Sequence, residues 1–243
     1  MINKNDTLLV VSAHAGDFVW RGGGTIAKYV NAGAKVELVI LSYGARGESK
    51  DLWKIEEQTL DNVKLTRDAE ISNACSHLGI KKYEIWDFKD YLMKVNEERM
   101  TKLVRKIREV QPNIILTHAP KDAFNPDHEL VSKYVHEASV LATSKGVQDE
   151  GYPNITQAKL FGFEHHQSEI SDFKPELIID ITDTYKQKQL AMNEFKAQQH
   201  LIEYYEAKAL LRGNHARRCS GNQEYKQAEA FMRFFPYVGG EFV

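Results

Sequence analysis

The chain has 243 residues, with 32 Lys and Arg against 34 Asp and Glu and a net charge of −2. At roughly 100–200 residues per domain this is one large domain, able to bury its core without staples. The balanced charge excludes a general nucleic-acid binder working by counterion release, and 42% hydrophobic with 27% charged residues excludes a disordered chain. Two cysteines, Cys75 and Cys219, cannot build a disulfide framework or a thiolate zinc site. The first residues lack the apolar core of a signal peptide. Apolar runs such as Leu8 to Val11 are too short to span a bilayer. The expectation is a cytoplasmic protein with neither membrane nor nucleic acid as partner.

In chain order, Thr7–Ser12 (TLLVVS) reads as a buried strand. A loop carrying Gly22, Gly23 and Gly24 leads into a helix at 25–31, closed by Gly33. A second strand at 35–42 runs into a polar loop, 43–49. A periodic polar stretch at 56–78 predicts a helix ending at Gly79, and 82–86 a strand. A helix at 97–110, a strand at 113–118 and a helix at 128–145 follow. Such alternation predicts an α/β fold, a Rossmann-like doubly wound, mostly parallel sheet with helices on both faces. Later the pattern loosens to strands at 159–164 and 177–181 and one long helix at 184–212, bounded by Gly213. The segment from about 213 to 243 holds Phe231, Phe234, Phe235, Pro236 and Tyr237. It reads as a tail that packs on its own core or joins subunits of a homo-oligomer.

Doubly wound sheets bind ligands outside the carboxyl ends of their strands, where strand order reverses. The first strand runs into His14 and Asp17, and the strand 113–118 runs into a loop ending at His128. Two imidazoles and a carboxylate suit a divalent metal such as zinc and leave a coordination position open for catalysis. The same set also describes a non-haem iron triad. A histidine at a strand end is otherwise a structural hydrogen bonder. Asn125-Pro126-Asp127-His128 is also a plain helix start, with Asn as N-cap and Pro at the first helical position.

The stretches 11–17 (VSAHAGD), 23–27 (GGTIA), 42–48 (SYGARGE) and 125–128 (NPDH) resemble the LmbE-like (PIG-L) family of zinc-dependent de-N-acetylases. The resemblance implies a Rossmann-like fold and zinc held by His14, Asp17 and His128. The family motif A-H-P-D-D-E supplies a general base from its first Asp, which corresponds to Gly16 here, and its Glu corresponds to Phe18. The first His of the family's H-P-D-H corresponds to Asn125. Amide hydrolysis needs a base for water and an acid for the leaving amine. The chain therefore keeps the metal ligands and loses the deacetylase acid–base set. That combination resembles the family's 4-oxalomesaconate hydratase branch, through 14–21 (HAGDFVWR), 44–49 (GARGES), 163–167 (FEHHQ) and 200–205 (HLIEYY).

This resemblance implies addition of water to a small, anionic, unsaturated oxo-carboxylate in aromatic-acid catabolism, with Zn2+ or another divalent metal as cofactor. Glu48, on the strand-end rim, and His166, which titrates near neutrality, are the acid–base candidates. The plainer reading of Glu48 is a solvated carboxylate paired with Arg46. Substrate carboxylates call for Arg46, Arg21, Lys121 and Arg217, with the Asn125 amide beside them. His118 and His165 read as packing or supporting residues. Two further readings compete: a de-N-acetylase of an N-acetylglucosamine conjugate with a relocated base, and a metal-binding scaffold without turnover.

Overall fold

The computed structural model describes residues 2–147 and 151–240. Seven strands form one sheet in the order β3-β2-β1-β4-β5-β7-β6. These are β1 (Thr7–Ser12), β2 (Lys35–Ile40), β3 (Lys82–Ile85), β4 (Ile114–His118), β5 (Lys159–Phe163), β6 (Leu177–Asp180) and β7 (Ala228–Arg233). The first five pair in parallel, while β7 lies antiparallel between β5 and β6. Order reverses between β1 and β4, which places the loops after them side by side, as the strand–helix alternation predicts.

The helices are α1 (Asp17–Asn31), α2 (Leu60–Leu78), α3 (Glu97–Val110), α4 (Pro126–Thr143), α5 (Tyr185–Glu194) and α6 (Ile202–Ser220). Side chains of β1 alternate between two cores, as the period of a strand requires. Leu8 and Val10 pack with residues of α1, α2 and α5 on one face. Leu9 and Val11 pack with Leu103, Val104 and Ile107 of α3 and Val131, Tyr134 and Val135 of α4 on the other. Helix α2 begins at Thr59, whose hydroxyl accepts from the Asn62 amide at 3.2 Å, and ends at left-handed Gly79. Among the described residues no helix is long and apolar enough to cross a membrane.

Three elements differ from the sequence reading. Helix α1 begins at Asp17 and runs through the glycine triplet instead of after it. A Cβ at Gly24 would stand 2.6 Å from Ile181 Cδ1, so these glycines serve close helix–sheet packing and not a loop. The long C-terminal helix is two helices, α5 and α6, joined by a short 3-10 segment, Lys196–Leu201, with a kink at Gln198. Gly213 sits inside α6, where the Lys226 carbonyl would lie 2.0 Å from a Cβ; it admits a crossing chain and does not stop the helix. Finally, residues 228–233 of the tail are a strand inside the sheet. Residues 241–243 lie outside the described residues.

Candidate metal centre and active site

His14 leaves the carboxyl end of β1, Asp17 opens α1, and His128 lies in the first turn of α4. Asn125 caps α4 by accepting from the Asp127 amide at 3.2 Å, which aims the first turn toward β1. The donor atoms converge. His14 Nδ1 is 3.2 Å from His128 Nε2 and 3.2 Å from an Asp17 oxygen, and His128 Nε2 is 3.4 Å from the other Asp17 oxygen. Metal–ligand bonds of about 2.0–2.1 Å in a tetrahedron have edges of about 3.3–3.4 Å. One donor atom from each residue lies within 4.8 Å of the others, close enough for the three to hold one metal ion, and all three residues are buried.

Neighbouring carboxylates orient the ligands. His14 Nε2 stands 3.2 Å from Asp127 Oδ2, which also accepts from the Tyr91 amide at 2.6 Å. His128 Nδ1 stands 2.8 Å from Asp122 Oδ2. Each imidazole can donate its outer N–H to a carboxylate and turn a lone pair inward, the usual support of a metal-bound histidine. Burial opposes charge on His14, but Asp127, Asp17 and Glu48 outweigh it and raise its pKa to about 10. The pocket therefore favours a cation at the point where the donors meet. Burial also opposes charge on Asp17 and Asp122, yet neighbouring histidines hold Asp17 down, and His128, His165 and Arg21 hold Asp122 down. His118 accepts from the Ala13 amide through Nε2 at 3.0 Å and stacks on His128 at 4.2 Å. Burial, with His128 beside it, holds its pKa well below the usual value, so it is a neutral packing partner.

Of the sequence candidates, Glu48, Asn125 and Arg21 join the triad. Glu48 Oε1 is 3.9 Å from His14 Nδ1 and accepts from Asn125 Nδ2 at 2.9 Å, while Oε2 accepts from Gln198 Nε2 at 2.9 Å. Arg21 is buried, 3.6 Å from Asp17 and 3.7 Å from Asp122, and its three guanidinium nitrogens make no hydrogen bond among the described residues. His166 is half-buried, with Nδ1 2.9 Å from the Tyr205 hydroxyl. Burial, then Arg21 and His128, lower its pKa to about 3.

Other candidates are engaged elsewhere. The Arg46 guanidinium lies 3.4 Å from Asp90 and not on Glu48, because Asp90 also collects the Arg46 and Gly47 amides. Exposed Lys121 pairs with Asp172. Arg217, in the last turn of α6, donates to the Tyr225 carbonyl and to Asn214. His165 supports Asp122 at 3.2 Å. The sequence reading passed over Asp122, Asp127, Tyr91, Gln198 and Tyr205. Asp127 adjoins His128 in the motif and was within reach; Gln198 and Tyr205 carry no local signal.

A family model described as GlcNAc-PI de-N-acetylase (PIG-L) matches residues 9–139. The chain is 37% identical over 241 residues to the 4-oxalmesaconate hydratase of Pseudomonas putida, covering 98% of this chain and 93% of that protein. It is 24% identical over 232 residues to a probable N-acetyl-alpha-D-glucosaminyl L-malate deacetylase 2 of Bacillus cereus, covering 93% and 97%. Among solved structures, GalB, the 4-carboxy-2-hydroxymuconate hydratase of P. putida, matches with a TM-score of 0.94 at 36% identity, covering 98% of this chain and all of that one. The N,N'-diacetylchitobiose deacetylase of Pyrococcus horikoshii gives 0.75 at 20% identity over 93% and 83%, a likeness of fold alone.

Proposed function

As this chain belongs to the PIG-L family, we propose that it is a metal-dependent hydratase of that family, adding water to 4-oxalomesaconate or a close relative. The observation that carries this reading is the full-length match to a hydratase at 37% identity, against 24% for the deacetylase. The chemistry of the site agrees: position 16 offers no side chain, while Asp127 and Asp122 are taken up on the outer nitrogens of His14 and His128, and Glu48 lies 3.9 Å from the inward nitrogen of His14.

His14, Asp17 and His128 would hold the metal, and Zn2+ suits their nitrogen and oxygen donors. When bound it supplies Lewis-acid polarisation of the substrate's oxo and carboxylate oxygens. Glu48 takes the proton from water as it adds to the activated double bond. The proton for the carbon next to the oxo group comes from His166. That imidazole is neutral in the free protein at ordinary pH, and the negative charge of an approaching tricarboxylate favours its charged form. His166 therefore takes up a solvent proton as substrate binds, and the proton left on Glu48 returns to solvent after the addition. The buried Arg21 offers N–H donors that make no hydrogen bond among the described residues, in the fork suited to a carboxylate. Arg46, Asn125, Lys121 and Arg217 are assigned by this reading to substrate binding only if substrate draws them from their present partners. Homo-oligomerisation, expected from the aromatic tail, is checked by molar mass in solution.

The test is a paired assay of metal-loaded protein with 4-oxalomesaconate and with N-acetylglucosamine conjugates. Hydration of the first without acetate release from the second is the expected result. Acetate release without hydration overturns the reading.

A further inference from the structure

The carboxylate assigned above as the base is held by a frame that also closes position 16. Gln198 is buried at the kink of the 196–201 segment. Its Oε1 accepts from Arg67 Nη2 at 3.0 Å and from the Trp20 indole at 3.4 Å. Two donors on the oxygen fix which way the amide points, so the Nε2–H faces Glu48. Arg67 is itself immobilised. It is fully buried, pairs with Glu70 at 2.7 Å and donates to the Tyr43 carbonyl at 3.1 Å. Glu70 also accepts from the Ala197 amide at 3.2 Å, which ties the chain next to Gln198 back to the same ion pair. Trp20 is wedged between Phe195 and Tyr205.

The same two side chains fill the space beside Gly16. A Cβ there would stand 2.5 Å from Trp20 Nε1 and 2.8 Å from Gln198 Oε1. An acid at position 16 and the Trp20–Gln198 pair therefore exclude each other.

We propose that Gln198 is the positioning residue for Glu48, and that with Trp20 it commits the site to a base at position 48 instead of position 16. This rests on the reading of Glu48 as the base. Gln198 acts through Glu48: without its N–H, Asn125 is the one hydrogen-bond donor left on the carboxylate among the described residues, and Glu48 swings away from the attacking water. A displacement of about 1 Å at a reacting group costs on the order of 100-fold in rate.

The test is a double-mutant cycle on metal-loaded protein, using Gln198→Ala, Gln198→Glu, Glu48→Gln and the paired combinations. Gln198→Glu keeps an acceptor for Arg67 and turns the donor to Glu48 into a repelling carboxylate, while Gln198→Ala removes the donor without added charge, so agreement of the two separates positioning from folding and from charge. Both Gln198 variants are expected to lower kcat about 10–100-fold, with KM within about threefold and metal content unchanged. In the Glu48→Gln background the same changes should have no further effect beyond about twofold, because residues that act as a unit are not additive. Additive losses, or a wild-type kcat in Gln198→Glu, overturn the positioning role while leaving the hydratase reading intact. Full activity in Glu48→Gln overturns the reading of Glu48 as base. Gly16→Asp is expected to gain no acetate release; a gain refutes the exclusion at position 16.

Discussion

A buried carboxylate ringed by lysines and a buried cluster of carboxylates sit at opposite ends of the sheet, and their difference separates structure from function. Near the amino ends of β2 and β3, Glu37 is surrounded by Lys35, Lys82 and Lys106 at 2.9, 3.0 and 3.1 Å. Lys106 also reaches Glu84 and Glu109, and Lys82 reaches Glu109. Burial would push the Glu37 carboxyl up, but the three ammonium groups bring it down to about 2. Charge there is matched by the protein itself. At the carboxyl ends, Asp17, Glu48, Asp122 and Asp127 crowd around two histidines. Among the described residues Arg21 is the cation paired with Asp17 and Asp122, at 3.6 and 3.7 Å. A burial penalty of this kind is sustained when it serves binding of a cation. Carboxylate density alone does not mark a site; uncompensated density with converging imidazoles does.

The contrast breaks first at the ligands. His14→Ala and His128→Ala should lose bound metal and on the order of 10³-fold or more in kcat, whereas no change at the Glu37 cluster should alter metal content. Elemental analysis beside steady-state rates decides it. Chelation of the wild type should do the same and lower its melting temperature, since a ligand bound only to the folded state at 100 times Kd stabilises by about 2.7 kcal/mol. Glu48→Gln should keep the metal and lose about 10²–10³-fold in kcat; retention of rate would remove Glu48 from the chemistry. Asp127→Asn should weaken metal affinity about 10–100-fold by loosening His14, read by competition with a metallochromic indicator.

The smallest effect belongs to the structural cluster. Glu37→Gln should cost about 1–2 kcal/mol, discounted for the half-exposed Lys35 and Lys82, with kcat unchanged. The Glu37 pKa is depressed in the fold, so its stabilisation is complete above about pH 4.5. It is lost as pH falls through about 2. Over that window the wild type should approach the variant in melting temperature. Parallel curves would show that Glu37 is not held by its lysines.

Much of this was legible in the chain. The strand–helix alternation predicted the parallel sheet, and the strand-end rule brought His14, Asp17 and His128 together before any geometry was known. The errors share one cause. Gly22, Gly24 and Gly213 were read by local rules, as loop and stop, but answer to neighbours outside their own segment: Phe163, Ile181 and the Lys226 carbonyl. The strand Ala228–Arg233 was hidden because its pairing with β5 and β6 is set by partners 45 or more residues away. A short strand's identity depends on context more than on propensity.

The sequence by itself determined the fold class, the candidate metal-ligand set and the missing side chain at position 16, because periodicity and motif spacing are local properties. Tertiary structure alone decided which charges are answered and which are not. Arg46 went to Asp90, Lys121 to Asp172 and Arg217 to Tyr225, while Gln198 came to Glu48 across 150 positions. Electrostatic energy depends on distances of a few ångströms, and those are fixed only when the helices and the sheet close on one another.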